Sequence, residues 1–169
     1  MVEPNHTIPA QDITALVLAG GQGSRMGGLD KGLQLFRGQA LARHAAQRLW
    51  ASHSVDALFL SANRHPETYA AFGWPVVPDL LDGFQGPLAG FLAGWSVCQT
   101  PYLLTIPCDT PLFPHDLVAH MAATLRAQQA RIALACAPES PAQPDLRRQP
   151  GALALGRGAR AKGLGVRHA

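Results

Sequence analysis

Residues 16–32 read LVLAGGQGSRMGGLDKG, an apolar run that ends in a glycine-rich loop carrying Arg25 and Lys31. The apolar residues from Ala15 to Ala19 predict a short buried strand. Gly20, Gly21 and Gly23 come next and supply bare backbone and open dihedral space, so that N–H groups can turn toward an anion. With two cations in the same loop, the arrangement points to a polyphosphate and hence to a nucleotide.

Two familiar phosphate loops do not fit these residues. The dinucleotide fingerprint, started at Gly21, needs a third glycine where Met26 stands, and no helix of the usual length follows at once. The P-loop needs Gly-Lys-Ser/Thr, whereas the order here is Asp30-Lys31-Gly32.

Working outward, strands and helices alternate. The dozen residues before Ile13 are polar, with two prolines, and are expected to form a flexible leader. Ala40 to Ser52 place Leu41, Ala45 and Leu49 on one stripe of an amphipathic helix, and Val55 to Ser61 read as the next strand. Pro66 to Phe72 predict a short helix and Trp74 to Val77 a strand ending at Pro78-Asp79. Pro87 suits the first turn of a helix running to Gln99, whose Leu88, Phe91, Leu92 and Trp95 are expected to face the sheet. Tyr102 to Ile106 read as a central strand ending at Pro107-Cys108-Asp109. Pro114 to Gln129 read as a helix with Leu117, Val118, Met121 and Leu125 inward, and Arg131 to Ala135 as a strand. This alternation predicts an α/β fold of three layers, α/β/α, with a mainly parallel sheet. Ligands of such sheets bind beyond the carboxyl ends of the strands, where the glycine loop, Ser61, Asp79 and Asp109 all fall.

The loop matches the pattern LAGGxxxRMGxxDK, and the chain resembles the molybdenum cofactor guanylyltransferase family. The resemblance continues through SANRHPETY (61–69), VVPDLLDGFQGPLAG (76–90) and LTIPCDTPLFPHDL (104–117), and covers about residues 13–136. It implies a nucleotidyltransferase domain over 13–137, similar to nucleotide-diphospho-sugar transferases. It also implies transfer of GMP from GTP to molybdopterin carrying molybdenum, with pyrophosphate released. Cytidylyltransferases for the same cofactor look like LAAG rather than the LAGG found at residues 18–21, and sugar-phosphate enzymes usually differ around PCDTP. Both features favour guanine.

Composition bounds the rest. The chain has 169 residues, 47% hydrophobic and 15% charged, which suits one soluble domain with a continuous core. No apolar run approaches the roughly 20 residues of a membrane span, and the polar start lacks the basic flank and apolar core of a signal peptide, so a cytoplasmic location and no membrane partner are expected. Cys98, Cys108 and Cys136 lack paired short spacing and are read as reduced thiols. The net charge of +3 divides unevenly: residues 1–138 carry −1 and the remainder +4, so the body offers no basic stripe for nucleic acid.

Residues 138–169 differ from the rest, with five glycines, three prolines and no aromatic residue after Pro138. The resembled family continues here with further strands, a His-Pro motif and a late asparagine segment, none recognisable after Ala137. This tail is expected to be disordered, or the product of a truncated or frame-shifted reading frame.

Joining a nucleoside monophosphate to an acceptor phosphate requires in-line attack on the α-phosphorus, and handling charge is most of the task. Asp109, after an apolar strand, is the candidate ligand for Mg²⁺, and the resemblance implies the same role. Lys31 and Arg25 are candidates to hold the triphosphate and stabilise departing pyrophosphate. By resemblance, Leu18, Ala19 and Gly20 contact the base and ribose through backbone, and Asp79 binds the guanine or the ribose, which of the two being open. Ser61 stands where the best-known members have asparagine. Gly86, Pro87 and Gly90 form a turn and helix start able to line the nucleotide pocket. His65, His115 and His120 make no zinc pattern. The competing expectation is a catalytically impaired nucleotide-binding or docking protein of the same fold, or a transferase with another acceptor. Transient docking to molybdopterin-synthesis proteins or apo-molybdoenzymes belongs to the same set of expectations.

Overall fold

The apolar run before the glycine loop forms β1, Ile13–Leu18, with Ile13, Ala15, Leu16 and Val17 almost wholly withdrawn from solvent. A strand apolar at successive positions rather than alternate ones is one covered on both faces. The computed structural model describes residues 8–19, 29–80, 87–135 and 154–157. Among these described residues seven further strands follow: β2 Leu35–Phe36, β3 Gln39–Ala40, β4 Ala57–Ser61, β5 Val76–Val77, β6 Tyr102–Pro107, β7 Ile132–Leu134 and β8 Ala154–Arg157. Four helices lie between them: α1 Leu41–Ala51, α2 Pro66–Ala70, α3 Pro87–Val97 and α4 Leu117–Ala127.

Six strands make one sheet in the order β5-β4-β1-β6-β8-β7, while β2 and β3 form a separate antiparallel pair. The pairings β4–β5, β1–β4 and β1–β6 are parallel; β8 runs antiparallel to both β6 and β7. The sheet is therefore mainly parallel, as expected, with one reversed strand that the reading of the tail did not foresee. The other tail residues, and residues 1–7 of the expected leader at 1–12, lie outside the described residues; the rest of that leader is ordered, with Ile8 buried in the core and Ala10–Asp12 in a 3-10 turn.

The two faces of the sheet are covered differently. Ile13, Ala15 and Val17 of β1 and Leu104 and Ile106 of β6 join one core with Ala42, Ala45, Ala46 and Leu49 of α1 and Val118, Met121, Ala122 and Leu125 of α4. The alternate residues, Leu16, Leu18 and Leu103, meet α3 on the opposite face. Here the expected orientation of α3 is corrected. Its inward residues are Ala89, Gly90, Ala93 and Gly94, whereas Leu92 is half-exposed and Phe91 and Trp95 are only partly covered; the Leu88 side chain lies outside the described residues. The reason is distance. A Cβ added at Gly94 would stand 2.6 Å from Leu16 Cδ2, and one at Gly90 would stand 2.8 Å from Leu18 Cδ2. Small residues allow the helix to approach the strands closely, which leaves Leu92 half-exposed and Phe91 and Trp95 at the margins of the contact.

Substitution should separate the two faces of α3. Gly94→Val forces a branched side chain against Leu16 and is expected to cost about 1–3 kcal/mol of stability by overpacking. Leu92→Ala removes a half-exposed side chain and should cost under about 1 kcal/mol. Urea denaturation of both variants checks this ordering, and equal losses would contradict the packing described.

Candidate functional site

The register of the parallel strands brings their carboxyl ends level. Leu18 of β1 is paired with Ser61 of β4 and with Pro107 of β6, and Ser61 is paired with Val77 of β5. Backbone bonds carry this row one residue further: Ala19 N–H donates to Ser61 C=O (2.9 Å), Ala62 N–H to Val77 C=O (3.2 Å) and Cys108 N–H to Leu18 C=O (3.0 Å). Asn63, Asp79 and Asp109 each stand two positions beyond that row, so three polar side chains from different strands reach one edge of the sheet.

Asp109 lies on the turn after β6, where Thr110 N–H and Thr110 Oγ1 both donate to Pro107 C=O. Its Oδ2 is 3.6 Å from Lys31 Nζ, and both side chains are about half exposed. An exposed pair of this kind contributes under about 1 kcal/mol. Its value is in placement, since it shows that Lys31 and Asp109, 78 positions apart in sequence, converge. Among the described residues no three His, Cys, Asp or Glu side chains gather to hold a metal on their own. A lone half-exposed carboxylate suits a magnesium ion that takes most of its ligands from phosphate and water.

Asp79 is held by a clamp. Asn63 Nδ2 donates to Asp79 Oδ2 (2.5 Å), Asp79 N–H donates to Asn63 Oδ1 (2.7 Å), and buried Ser61 Oγ donates more weakly to Asp79 Oδ1 (3.5 Å). Gly90 stands over these groups, and a Cβ there would lie 3.1 Å from Ser61 Oγ and 3.7 Å from Asp79 Oδ1. Ser61 and Asp79 are thus neighbours, with Leu18 and Gly90 of α3 beside them. Pro87 opens α3. Gly20, Gly21, Gly23, Arg25 and Gly86 lie outside the described residues, as does Cys136.

Three residues of this region were not singled out from sequence. Asn63 carried a signal, because an amide two positions beyond a predicted strand matches the placement of Asp79. Asp30 and Tyr69 carried less. Asp30 is 9% exposed and accepts a hydrogen bond from the phenol of fully buried Tyr69 at 2.5 Å. Burial first, and the Asp30 bond second, push the Tyr69 phenol upward, so it remains a protonated donor.

A family model described as the MobA-like NTP transferase domain matches residues 15–165, most of the chain. The chain belongs to this family. Among curated relatives, the molybdenum cofactor guanylyltransferase of Albidiferax ferrireducens is 55% identical over 132 residues, covering 78% of this chain and 63% of the relative. That of Ralstonia pickettii is 52% identical over 142 residues, covering 84% and 69%. The chain spans just over three-fifths of the length of the first relatives it matches, between 62% and 63%. Among solved structures, the molybdopterin-guanine dinucleotide biosynthesis protein A of Archaeoglobus fulgidus aligns with a TM-score of 0.61 at 15% identity, over 85% of this chain and 67% of that one. CMP:2-keto-3-deoxy-manno-octonic acid synthetase, solved with CTP, aligns with a TM-score of 0.59 at 12% identity, over 86% and 73%. At these identities the structures establish the fold of this MobA-like domain, which is the three-layer α/β/α fold read from its sequence.

Beside the site, Cys108 is buried, and its thiol is pushed from the ordinary 9.0 up to about 12, chiefly by burial and then by Asp109 and Asp30. Below that value the folded chain keeps the thiol neutral and poorly nucleophilic. Native protein at pH 8 is therefore expected to leave Cys108 unmodified by iodoacetamide, read by peptide mass spectrometry, while denatured protein is labelled. The unfolded thiol ionises first as pH rises, so this residue should lower stability progressively between about pH 9 and about 12. Rapid native labelling of Cys108, or a Cys108→Ala variant with an unchanged alkaline stability profile, would contradict this.

Proposed function

We propose that the chain transfers GMP from GTP to the terminal phosphate of molybdopterin carrying molybdenum, giving the guanine dinucleotide cofactor and pyrophosphate. The convergence of Lys31 on Asp109 at the edge of a sheet that also presents Asp79 is the observation that carries this reading. Membership of the MobA-like family and 52–55% identity to guanylyltransferases support guanine and the molybdopterin acceptor.

An oxygen of the acceptor phosphate attacks the α-phosphorus, the bond to the bridging oxygen breaks, and its electron pair leaves with pyrophosphate. An acceptor phosphate is already ionised near neutral pH, so the chain need supply alignment and positive charge rather than a strong base. Asp109 would hold Mg²⁺, which supplies charge neutralisation at the phosphate oxygens. Lys31, close enough to Asp109 to reach the same phosphates, would steady the triphosphate and the leaving pyrophosphate, a role proposed for Arg25 as well. Backbone of Leu18, Ala19, Gly20, Gly21 and Gly23 would contact the nucleotide, and Gly86, Pro87 and Gly90 would line the same pocket. Asp79, oriented by Asn63, would accept from guanine N1–H and N2–H₂ or from ribose. No described helix is long and apolar enough to cross a membrane. A cytoplasmic location and delivery of the product to apo-molybdoenzymes belong to the same proposal.

One second reading, a nucleotide-binding protein of the same fold that turns nothing over, needs only the same nucleotide pocket. Incubation of the purified chain with GTP, magnesium and molybdenum-loaded molybdopterin separates the two. Guanylylated product is expected. Asp109→Asn and Lys31→Met should each lower kcat/KM about 100-fold or more, the loss typical of removing one group that stabilises transition-state charge. Their melting temperatures should hardly move, because both side chains are half-exposed. A folded wild type stabilised by magnesium and GTP yet forming no product would sink the transfer reading and leave the binding one.

A further inference from the structure

Transfer chemistry does not itself require Asp30 to be buried, yet this carboxylate is enclosed next to the exposed Lys31. Its Oδ1 accepts both from Tyr69 Oη (2.5 Å) and from Gly32 N–H (3.1 Å). Its carbonyl accepts from Leu33 N–H (3.3 Å) and from Gln34 Nε2 (3.2 Å). Asp30 is thereby the cap of a short 3-10 turn, Lys31–Leu33, and every bond that shapes the turn's start converges on it. Tyr69 comes from α2 and is itself fixed, fully buried with its ring edge-on to Phe72 at 5.7 Å. Nor can the turn shift inward: a Cβ at Gly32 would overlap the Tyr69 hydroxyl and stand 3.0 Å from Ala19 Cβ. The backbone that bears Lys31 is thus held on the α2 side and against β1's end, and only the lysine side chain extends to Asp109.

We propose that the Tyr69–Asp30 hydrogen bond is a positioning device for Lys31, fixing the lysine backbone so that a flexible four-carbon stem delivers its ammonium to the phosphates beside Asp109. The inference deepens the nucleotidyl-transfer reading and rests on it. Lysine brings a point charge on a stem with many rotamers, so its aim depends on where its Cα is anchored. Displacements of about 1 Å in a positioned group can cost about 100-fold in rate. A purely structural role for the pair would affect stability and leave the contribution of Lys31 unchanged.

The test is a double-mutant cycle between Tyr69→Phe and Lys31→Met, read as kcat/KM for GTP in the guanylylation reaction, well below each variant's melting temperature. Phenylalanine keeps the ring and its contact with Phe72 and removes only the donor. In the wild-type background Tyr69→Phe is expected to lower kcat/KM about tenfold; in the Lys31→Met background it should change the value less than about twofold. A second pair of variants keeps the idea testable if Tyr69→Phe folds poorly. Both donors use the same oxygen, Oδ1, which asparagine also offers, so Asp30→Asn should restore most of what Asp30→Ala loses. Equal fractional losses from Tyr69→Phe with and without Lys31, or no loss in a folded variant, would overturn the positioning role while leaving the transferase reading intact. A wild type that forms no product would instead overturn the transfer reading and, with it, this inference.

Discussion

The register of three parallel strand pairs governs this molecule. Because Leu18, Ser61, Val77 and Pro107 are hydrogen-bonded into one row, whatever follows each strand emerges at the same edge. Slipping one strand by a residue would turn its apolar side chains to the other face and carry its polar terminus out of line. The packing therefore enforces the site: the same burial of Leu16, Val17, Leu60 and Ile106 that holds the sheet together sets the relative positions of Asn63, Asp79 and Asp109.

The two covering layers add to this frame in different ways. On the α1 and α4 side the sheet is covered by alanines and larger aliphatic residues that share one core with its strands. On the other side α3 comes so close at Gly90 and Gly94 that the beginning of the helix abuts Leu18, Ser61 and Asp79. In the proposed nucleotide site, a helix start so placed would offer its free backbone N–H groups to the ligand. The glycines of α3 thus permit this close approach at a cost in helix propensity, roughly 1 kcal/mol each relative to alanine.

Much of this could be read from sequence because it depends on local pattern. The strand before the glycine loop, the amphipathic stripe of α1, the proline that opens α3 and the aspartates just beyond strand ends are all short-range signals, and the structure places them as expected. What escaped was set by contacts between distant segments. Residues 154–157 show no period marking them as a strand; their place is supplied by β6 and β7, which flank them. The inward face of α3 was misassigned because bulky apolar residues usually point inward, and only the tight approach to Leu16 reverses that preference. Tyr69 reads as an ordinary residue of a short helix, and its bond to Asp30 spans 39 positions. The Asn63 clamp on Asp79 spans 16, yet the matching offsets from the two strand ends make it the one recoverable omission.

The most direct measurement is a crystal structure of the chain grown with magnesium and a non-hydrolysable GTP analogue. The account predicts the triphosphate lying beside Lys31 and the metal on Asp109, with the guanosine directed toward Asp79 and the start of α3. A nucleotide bound at the opposite end of the sheet, or with its phosphates away from Lys31 and Asp109, would contradict it.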